Sequence, residues 1–477
     1  MSALLDILPV ELIQPILCQL DSRRDLTAAA LVCRLFNSAA TPLIYRNIDT
    51  RIKDGRVIAH PSATLLRRPE LAQYVWHVKE NGTACAALRS DPRIAQEITA
   101  ALSLCTNLVS ATWMDYDQAA EAAFMPFLEV LITLPLKEFT LHTQWDVGDR
   151  AWSLLNGITG IRRLSVWSLD WARPRLLDVW APQLGPTLTQ LELGRCSGIP
   201  PAILILVFSQ LPLLQDLRVN GIPSAAIPSI MACLPKLIAL DTEYQQHGNY
   251  HLPSTPLPHL QRLTIRTSSV DVLGPEQLWN WICSLIPYEG SLLSFSLGSF
   301  AIQGLIAIPL SFVTRLIRRH GQSLTRFRVG IAQVTHEALV YLCRDCPALA
   351  SLECSVASAN VETIAKATEP AKSLCTLQLS VLWTQASAVD TMPKFYYSPR
   401  TMYGDYSLQN KAIPFNVEEA KTLMLRPGSK LRMITLGGTA YSGKWVCATP
   451  KQDIFSQIED GLTFEVVKDK YSYSRLE

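Results

Sequence analysis

The sequence predicts an α/β chain: an N-terminal module of three helices, then an irregular solenoid with parallel strands on its concave face and helices on its convex face. Three observations predict it. The 477 residues exceed the roughly 250–300 that one hydrophobic core can organise, so the chain is several domains or an elongated array. Helical spacing fills about the first fifty residues, and beyond residue 60 one apolar pattern keeps returning.

In the N-terminal stretch, Leu8-Pro9-Val10-Glu11-Leu12 opens a helix, with proline in the first turn and a carboxylate near the positive end of the helix dipole. Leu12, Ile13, Ile16, Leu17 and Leu20 follow at helical spacing. Pro15 interrupts them and predicts a kink or a late helix start. Ser22 with Asp25 three residues on reads as a variant capping box, starting a second helix with Leu26, Ala29, Ala30 and Leu31. A third helix is expected from about Val32 to Tyr45, bent or broken at Pro42.

These residues resemble the F-box. Its pattern appears as Leu8-Pro9-Val10-Glu11, Ile16–Leu20, Asp25-Leu26 and Leu31-Val32-Cys33-Arg34-Leu35-Phe36. Phe36 stands where many members carry Trp, and Pro15 is unusual in the first helix. The resemblance implies docking to the SKP-type adaptor of cullin-RING ligases, with Leu8, Pro9, Leu12, Ile16, Leu20, Leu26, Leu31, Val32 and Phe36 forming or supporting the surface. The physics agrees: three such short helices cannot bury all their apolar faces on each other, and an exposed apolar patch marks a partner site. The competing reading makes residues 4–48 a mere helical cap.

The repeating pattern is apolar-x-x-apolar-x-apolar. It begins at residues 108, 136, 161, 188, 214, 260, 292, 324, 349 and 374, with a shortened instance, Leu237-x-x-Leu240, among them and a further one, Leu431-x-x-Ile434-x-Leu436, well beyond. Most spacings fall in or near the ~20–29 residues of leucine-rich repeats. Each hexad reads as a short strand with apolar residues inward. Ala225–Leu234, Phe312–His320 and Val361–Thr368 carry helical patterns before such strands. A helix–strand unit cannot bury its own apolar faces and must stack on copies of itself. The consensus asparagine is largely missing, so the repeats are degenerate. The layout, F-box then irregular repeats, looks like the F-box proteins of basidiomycete fungi.

The expected domains are 1–48, the F-box; 49–80, a linker and N-terminal cap; 81–384, the repeats; 385–418, an irregular insertion; and 419–477, the last repeat and C-terminal cap. A helix over Pro450–Gly461 and a strand through Leu462, Phe464 and Val466 complete the last.

Composition excludes several classes. A formal charge of +2 provides no global field for nucleic acid or membrane. No apolar run approaches the ~18 residues of a membrane helix, and no secretory leader is visible at Met1–Leu20. The twelve cysteines lie in Leu- and Ile-rich segments, which suits reduced thiols and a cytoplasmic or nuclear protein. No catalytic residue, cofactor or metal is expected. Cys343-x-x-Cys346 is a lone pair just before a repeat strand, and His247-x-x-x-His251 with His259 falls in a loop-like run. Trp113, Trp145, Trp152, Trp167, Trp171 and Trp180 crowd one third of the chain, and of these Trp167 takes an outward strand position.

The function that follows is substrate recognition in an SCF-type ligase, by a chain that is a monomer outside the complex. The alternatives are a leucine-rich-repeat scaffold without a ligase and a receptor gated by a small ligand. Outward strand positions place Arg262 and Arg266, then Ser294, Ser296 and Gly298, then Arg326 and Arg328 on successive strands. They predict a shallow trough for an acidic or phosphorylated protein segment. Asp241 and Glu243 on the preceding strand are the competing partners for Arg262 and Arg266.

Overall fold

The computed structural model describes residues 9–49, 51–53, 57–115, 120–167, 175–245, 257, 259–267, 275–287, 292–299, 307–357, 360–382, 415–447 and 462–469. The chain divides into two compact units, Met1–Leu237 with Pro253–Pro256, and Ile238–Leu252 with Leu257–Glu477.

The first unit opens with three helices, α1 (Val10–Leu17), α2 (Arg23–Ala30) and α3 (Arg34–Arg46). Ile13, Leu17, Leu26, Ala30 and Ala40 form their core, with Ala29, Phe36, Ala39, Leu43 and Ile44 packed around it. One local expectation, the Ser22 cap, is overturned, and two others are narrowed. Helix α1 runs through Pro15, because residue 15 is exposed and the Glu11 carbonyl it would have bonded lies on an exposed residue that water can serve. The Ser22 side chain makes no cap; its carbonyl accepts instead from the amides of Asp25 (3.0 Å) and Leu26 (3.1 Å). Helix α3 starts at Arg34 and passes Pro42 without a break.

The sheet of this unit begins across the expected boundary between the F-box, 1–48, and the linker and N-terminal cap, 49–80. Strand β1 (Asn47–Asp49) follows α3 directly, and β2 (Arg51–Lys53) pairs antiparallel with β3 (Val57–Ala59). After α4 (Ser62–Arg67) and a 3-10 segment (Pro69–Tyr74) comes β4 (His77–Asn81), parallel to β1. There follow α5 (Thr83–Ser90), α6 (Pro92–Ser103), β5 (Ser110–Met114), α7 (Ala120–Leu131), β6 (Glu138–His142), α8 (Gly148–Leu155) and β7 (Arg163–Trp167). The unit continues through α9 (Arg175–Leu184), β8 (Gln190–Gly194), α10 (Pro201–Ser209), β9 (Asp216–Val219) and α11 (Ile227–Ala232). Strands β4 to β9 pair in chain order, all parallel.

The second unit repeats the plan with β10 (Ala239–Tyr244), β11 (Arg262–Thr267), α12 (Pro275–Leu285), β12 (Ser294–Ser299), α13 (Leu310–His320), β13 (Arg326–Val334) and α14 (His336–Asp345). It continues with β14 (Ser351–Ala357), α15 (Val361–Thr368), β15 (Thr376–Leu382), α16 (Val417–Met424) and β16 (Met433–Leu436). Strands β10 to β16 are parallel neighbours in order. The sheet then changes sense: β17 (Thr439–Cys447) and β18 (Leu462–Lys468) add antiparallel. Strand β18 holds the expected Leu462, Phe464 and Val466, whereas β17 had no counterpart in the repeat pattern. The expected insertion lies outside the described residues up to 414. From there Phe415 is buried and Asn416 forms a capping box with Glu419, so the C-terminal block starts a few residues before 419. The expected helix at Pro450–Gly461 also lies outside the described residues.

The hexads become strands for the reason their spacing implies. Their apolar positions, such as Leu188, Leu191 and Leu193, are buried, and the residues between them alternate outward. One carbonyl at the foot of each strand fixes the register. Trp76 accepts the amides of both Val109 and Ser110; Val109 does the same for Lys137 and Glu138, Lys137 for Arg162 and Arg163, Arg162 for Thr189 and Gln190, and Thr189 for Gln215 and Asp216. In the second unit Ile238, Gln261, Leu293, Thr325, Ala350 and Cys375 continue the device.

Gly194 closes β8 where the Trp167 ring lies flat against the backbone: an added Cβ would stand 2.2 Å from its Cδ2. Gly194→Ala is therefore expected to destabilise the chain by about 1–3 kcal/mol, the range for overpacking. Gly198→Ala, whose Cβ meets nothing within 4 Å, serves as the control. Thermal unfolding of the two variants checks this; equal midpoints would refute the contact.

Candidate functional site

Two kinds of surface stand out: the outer side of the three-helix module and the outward rows of the strands. On α1, Ile13 and Leu17 point into the core, which turns Leu12 and Ile16 to solvent, and Leu20 just past the helix end is exposed beside them in sequence. Leu12 is 48% exposed and Ile16 51%. At the turn between α2 and α3, Leu31 is 81% and Val32 60% exposed. Pro9 is exposed, Leu26 is a core residue, and Phe36 is half-buried against that core. Leu26 and Phe36 thus support the module rather than present themselves, and Leu8 lies outside the described residues. Val10 and Leu35 are also exposed; both sit inside the sequence motifs yet were not among the expected surface residues. Burying even one such side chain is worth about 1.5–3 kcal/mol, so this much free apolar surface on a small module fits a protein partner.

The arginine rows of the second unit take the expected register. Arg262 pairs with Ser294 and Ser294 with Arg326; Thr264 pairs with Ser296 and Ser296 with Arg328; Arg266 faces Gly298. Strand β12 therefore lies between the two arginine strands. The side chains, however, lean away from it. Arg266 donates to Asp241 on β10, and both are mostly buried. Arg328 donates through Nε to Glu353 on β14 at 2.8 Å. The Asp241 partner was foreseen from the sequence and Glu353 was not. Arg262 and Arg326 are exposed at the foot of the trough, on either side of Ser294.

The first unit carries a polar chain that sequence reading missed. Ser165 on β7 is buried, its Oγ lying 2.9 Å from His142 Nε2 and donating to Glu192 Oε2 at 3.0 Å. Glu192 forms an ion pair with Arg218 at 3.2 Å. Ser165, Glu192 and Arg218 occupy the same outward position of successive hexads, which was the available signal. This is no acyl-transfer triad, since the carboxylate engages the serine rather than the far nitrogen of the imidazole. Burial holds the His142 imidazole below its usual value despite Glu192 nearby, which keeps the ring neutral. The Trp167 ring lies 5.6 Å from it. Of the other clustered tryptophans, Trp113, Trp152 and Trp180 are buried, Trp145 is half-buried, and Trp171 lies outside the described residues.

Cys343 and Cys346 are buried, and desolvation pushes both thiols up to about 12. His247 and His251 lie outside the described residues. A groove of about 500 Å³ runs among α5, α6 and α7. Among the described residues no helix is long and apolar enough to cross a membrane.

Residues 5–51 match the F-box-like family model. Among solved structures, the chain is similar to one in the yeast Rad7–Elc1 complex, at 12% identity and a TM-score of 0.42, covering 78% of this chain and 96% of that one. It is also similar to a chain in the TLR13–ssRNA13 complex, at 14% identity and a TM-score of 0.28, covering 66% and 56%. No curated protein matches the sequence.

Two measurements follow. Asp241→Asn should lower stability by about 1–3 kcal/mol by removing a charge that the largely buried Arg266 pairs with, whereas Arg328→Ala, which removes the more exposed partner of Glu353, should cost about 1 kcal/mol or less; chemical denaturation reads both. At pH 8 iodoacetamide should label the exposed Cys18 and Cys33 first. Cys105, Cys196, Cys343 and Cys346, with thiols near 12, should react only on unfolding; mass spectrometry of the native protein decides.

Proposed function

We propose that this chain is the substrate-recognition subunit of an SCF-type cullin-RING ubiquitin ligase and performs no chemistry of its own. The observation that carries the reading is the apolar surface left exposed on the F-box-like segment: Pro9, Leu12, Ile16, Leu20, Leu31 and Val32, supported from within by Leu26 and Phe36. That surface would dock an SKP-type adaptor, and through it a cullin. The outward strand rows would hold a protein substrate, whose lysine then meets a ubiquitin-charged enzyme. Raising effective concentration is the whole contribution such a subunit has to make.

In the second unit the substrate contact is narrower than the sequence predicts. With Arg266 and Arg328 engaged by carboxylates, an acidic segment would address the exposed Arg326 beside Ser294, with Ser296 as a small floor.

Replacing Leu12 and Ile16 by aspartate puts charge on the docking stripe without touching the core residues Ile13 and Leu17. The double variant should lose adaptor capture, each anchor being worth about 2 kcal/mol or more, while unfolding at the wild-type midpoint. Co-purification with an SKP-type adaptor at wild-type yield would sink the proposal; capture of adaptor and cullin by the wild type and not by the variant supports it over a scaffold that works without a ligase.

A further inference from the structure

The polar chain on the outward face of the first unit has a direction. A carboxylate accepts only, so the Ser165 hydroxyl proton must point to Glu192. Ser165 Oγ then accepts from His142, which places the imidazole proton on Nε2. A neutral ring with its proton there offers a bare acceptor at Nδ1. That nitrogen has no hydrogen-bond partner among the described residues. The arrangement is anchored at its far end by Arg218, which fixes Glu192.

The neighbours of His142 complete the chemistry. Met114 and Trp167 flank it in the same row of the sheet, in register on β5 and β7, and all three are half-buried. The Trp167 ring is held in place by Gly194, as only a residue without Cβ lets it lie so close. Tryptophan and methionine are enriched at the centres of protein interfaces. Glu192 and Arg218 cancel each other, so the chain carries no net charge to attract an ion.

From this we propose a peptide-binding site centred on His142 and Trp167. Its occupant is an uncharged, extended protein segment that gives a backbone amide N–H to His142 Nδ1. An aromatic or aliphatic side chain of that segment lies on Trp167. The site deepens the reading above and rests on it only in giving the outward rows of the first unit a protein occupant; it needs neither the adaptor nor the arginine trough.

The test pans a phage-displayed library of random peptides against the full chain. Enriched peptides should be uncharged, with an aromatic or aliphatic residue, and should bind Trp167→Ala about 30-fold more weakly, the scale of a tryptophan anchor. Ser165→Ala, which removes the group that orients the imidazole, should weaken binding about fivefold, within the span of one neutral hydrogen bond. In that variant the ring ¹⁵N resonances of His142 should lose their preference for the Nε2–H form, a change that simple destabilisation would not produce. Failure to enrich any peptide overturns the proposal, as do peptides that bind Trp167→Ala at wild-type strength. Acidic peptides released by Arg326→Ser would overturn it in favour of the trough. Leu12→Asp with Ile16→Asp should leave peptide binding unchanged, so failure of adaptor docking and failure of this site are read separately.

Discussion

Register in both units depends on the carbonyl at the foot of each strand, which accepts two successive amides from the next repeat of the same unit. Arg162, for example, takes the amides of Thr189 (2.9 Å) and Gln190 (3.0 Å). The pair sets where the next strand starts, and the parallel ladder then carries the match along its length. Because the side-chain period in a strand is two, a slip of one residue would turn Ser165 and Glu192 toward the apolar core and Leu164 and Leu191 away from it. The backbone bond and the buried apolar trio therefore select the same register. Chain between two strands is left free by this device. Cys375 still receives Arg432 and Met433, although these stand more than fifty residues further on. Closure entropy rises only slowly with the length of intervening chain, so the device tolerates unequal spacings.

The same constraint explains which features could be read from the sequence. Hexads report inward and outward positions directly, and the burial of Leu214, Leu217 and Val219 or of Leu349, Leu352 and Cys354 follows from spacing alone. Helix ends were less legible: nothing in the sequence of Ser22 distinguishes a side-chain cap from the backbone turn that forms, and an exposed Pro15 offends less than a buried one. Strand β17 escaped because it adds antiparallel, outside the repeat that made the others visible. Side-chain reach is a different matter. Spacing says that Arg328 points outward, yet its long flexible stem can lean to either neighbour, and Glu353 on β14 drew it. The His142 chain needed the lateral alignment of β6 to β9, which a single repeat does not contain.

Outward rows of the two units consequently differ in character. Charge in the first is paired along the rows: Arg163 lies between Glu138 at 3.5 Å and Gln190 at 2.7 Å, and Arg218 neutralises Glu192. What remains for a partner there is hydrogen-bond polarity and the faces of Trp167 and Met114. The second keeps Arg262 and Arg326 exposed beside a strand of small residues. A single solenoid rule thus yields two chemistries, because the inward positions are fixed by stacking and the outward ones are not.

The F-box-like segment faces the opposite problem, too little burial. Among the described residues its core contains five buried side chains, two of them alanine, and a module of this size is marginal on its own. It nevertheless leaves Leu31 and Val32 almost bare. Its support comes from the other end. Helix α3 runs straight into β1, which pairs in register with β4 from Asn47 to Asp49. The Arg46 carbonyl accepts from Trp76, its guanidinium lies 5.1 Å from the Trp76 ring, and Asn81 donates to Asp49. Trp76 is also the first of the carbonyls that set the register of the sheet. Adding apolar residues to the module's own core would have to come from its exposed stripe; anchoring α3 to the sheet stabilises the fold while leaving that stripe free for a partner.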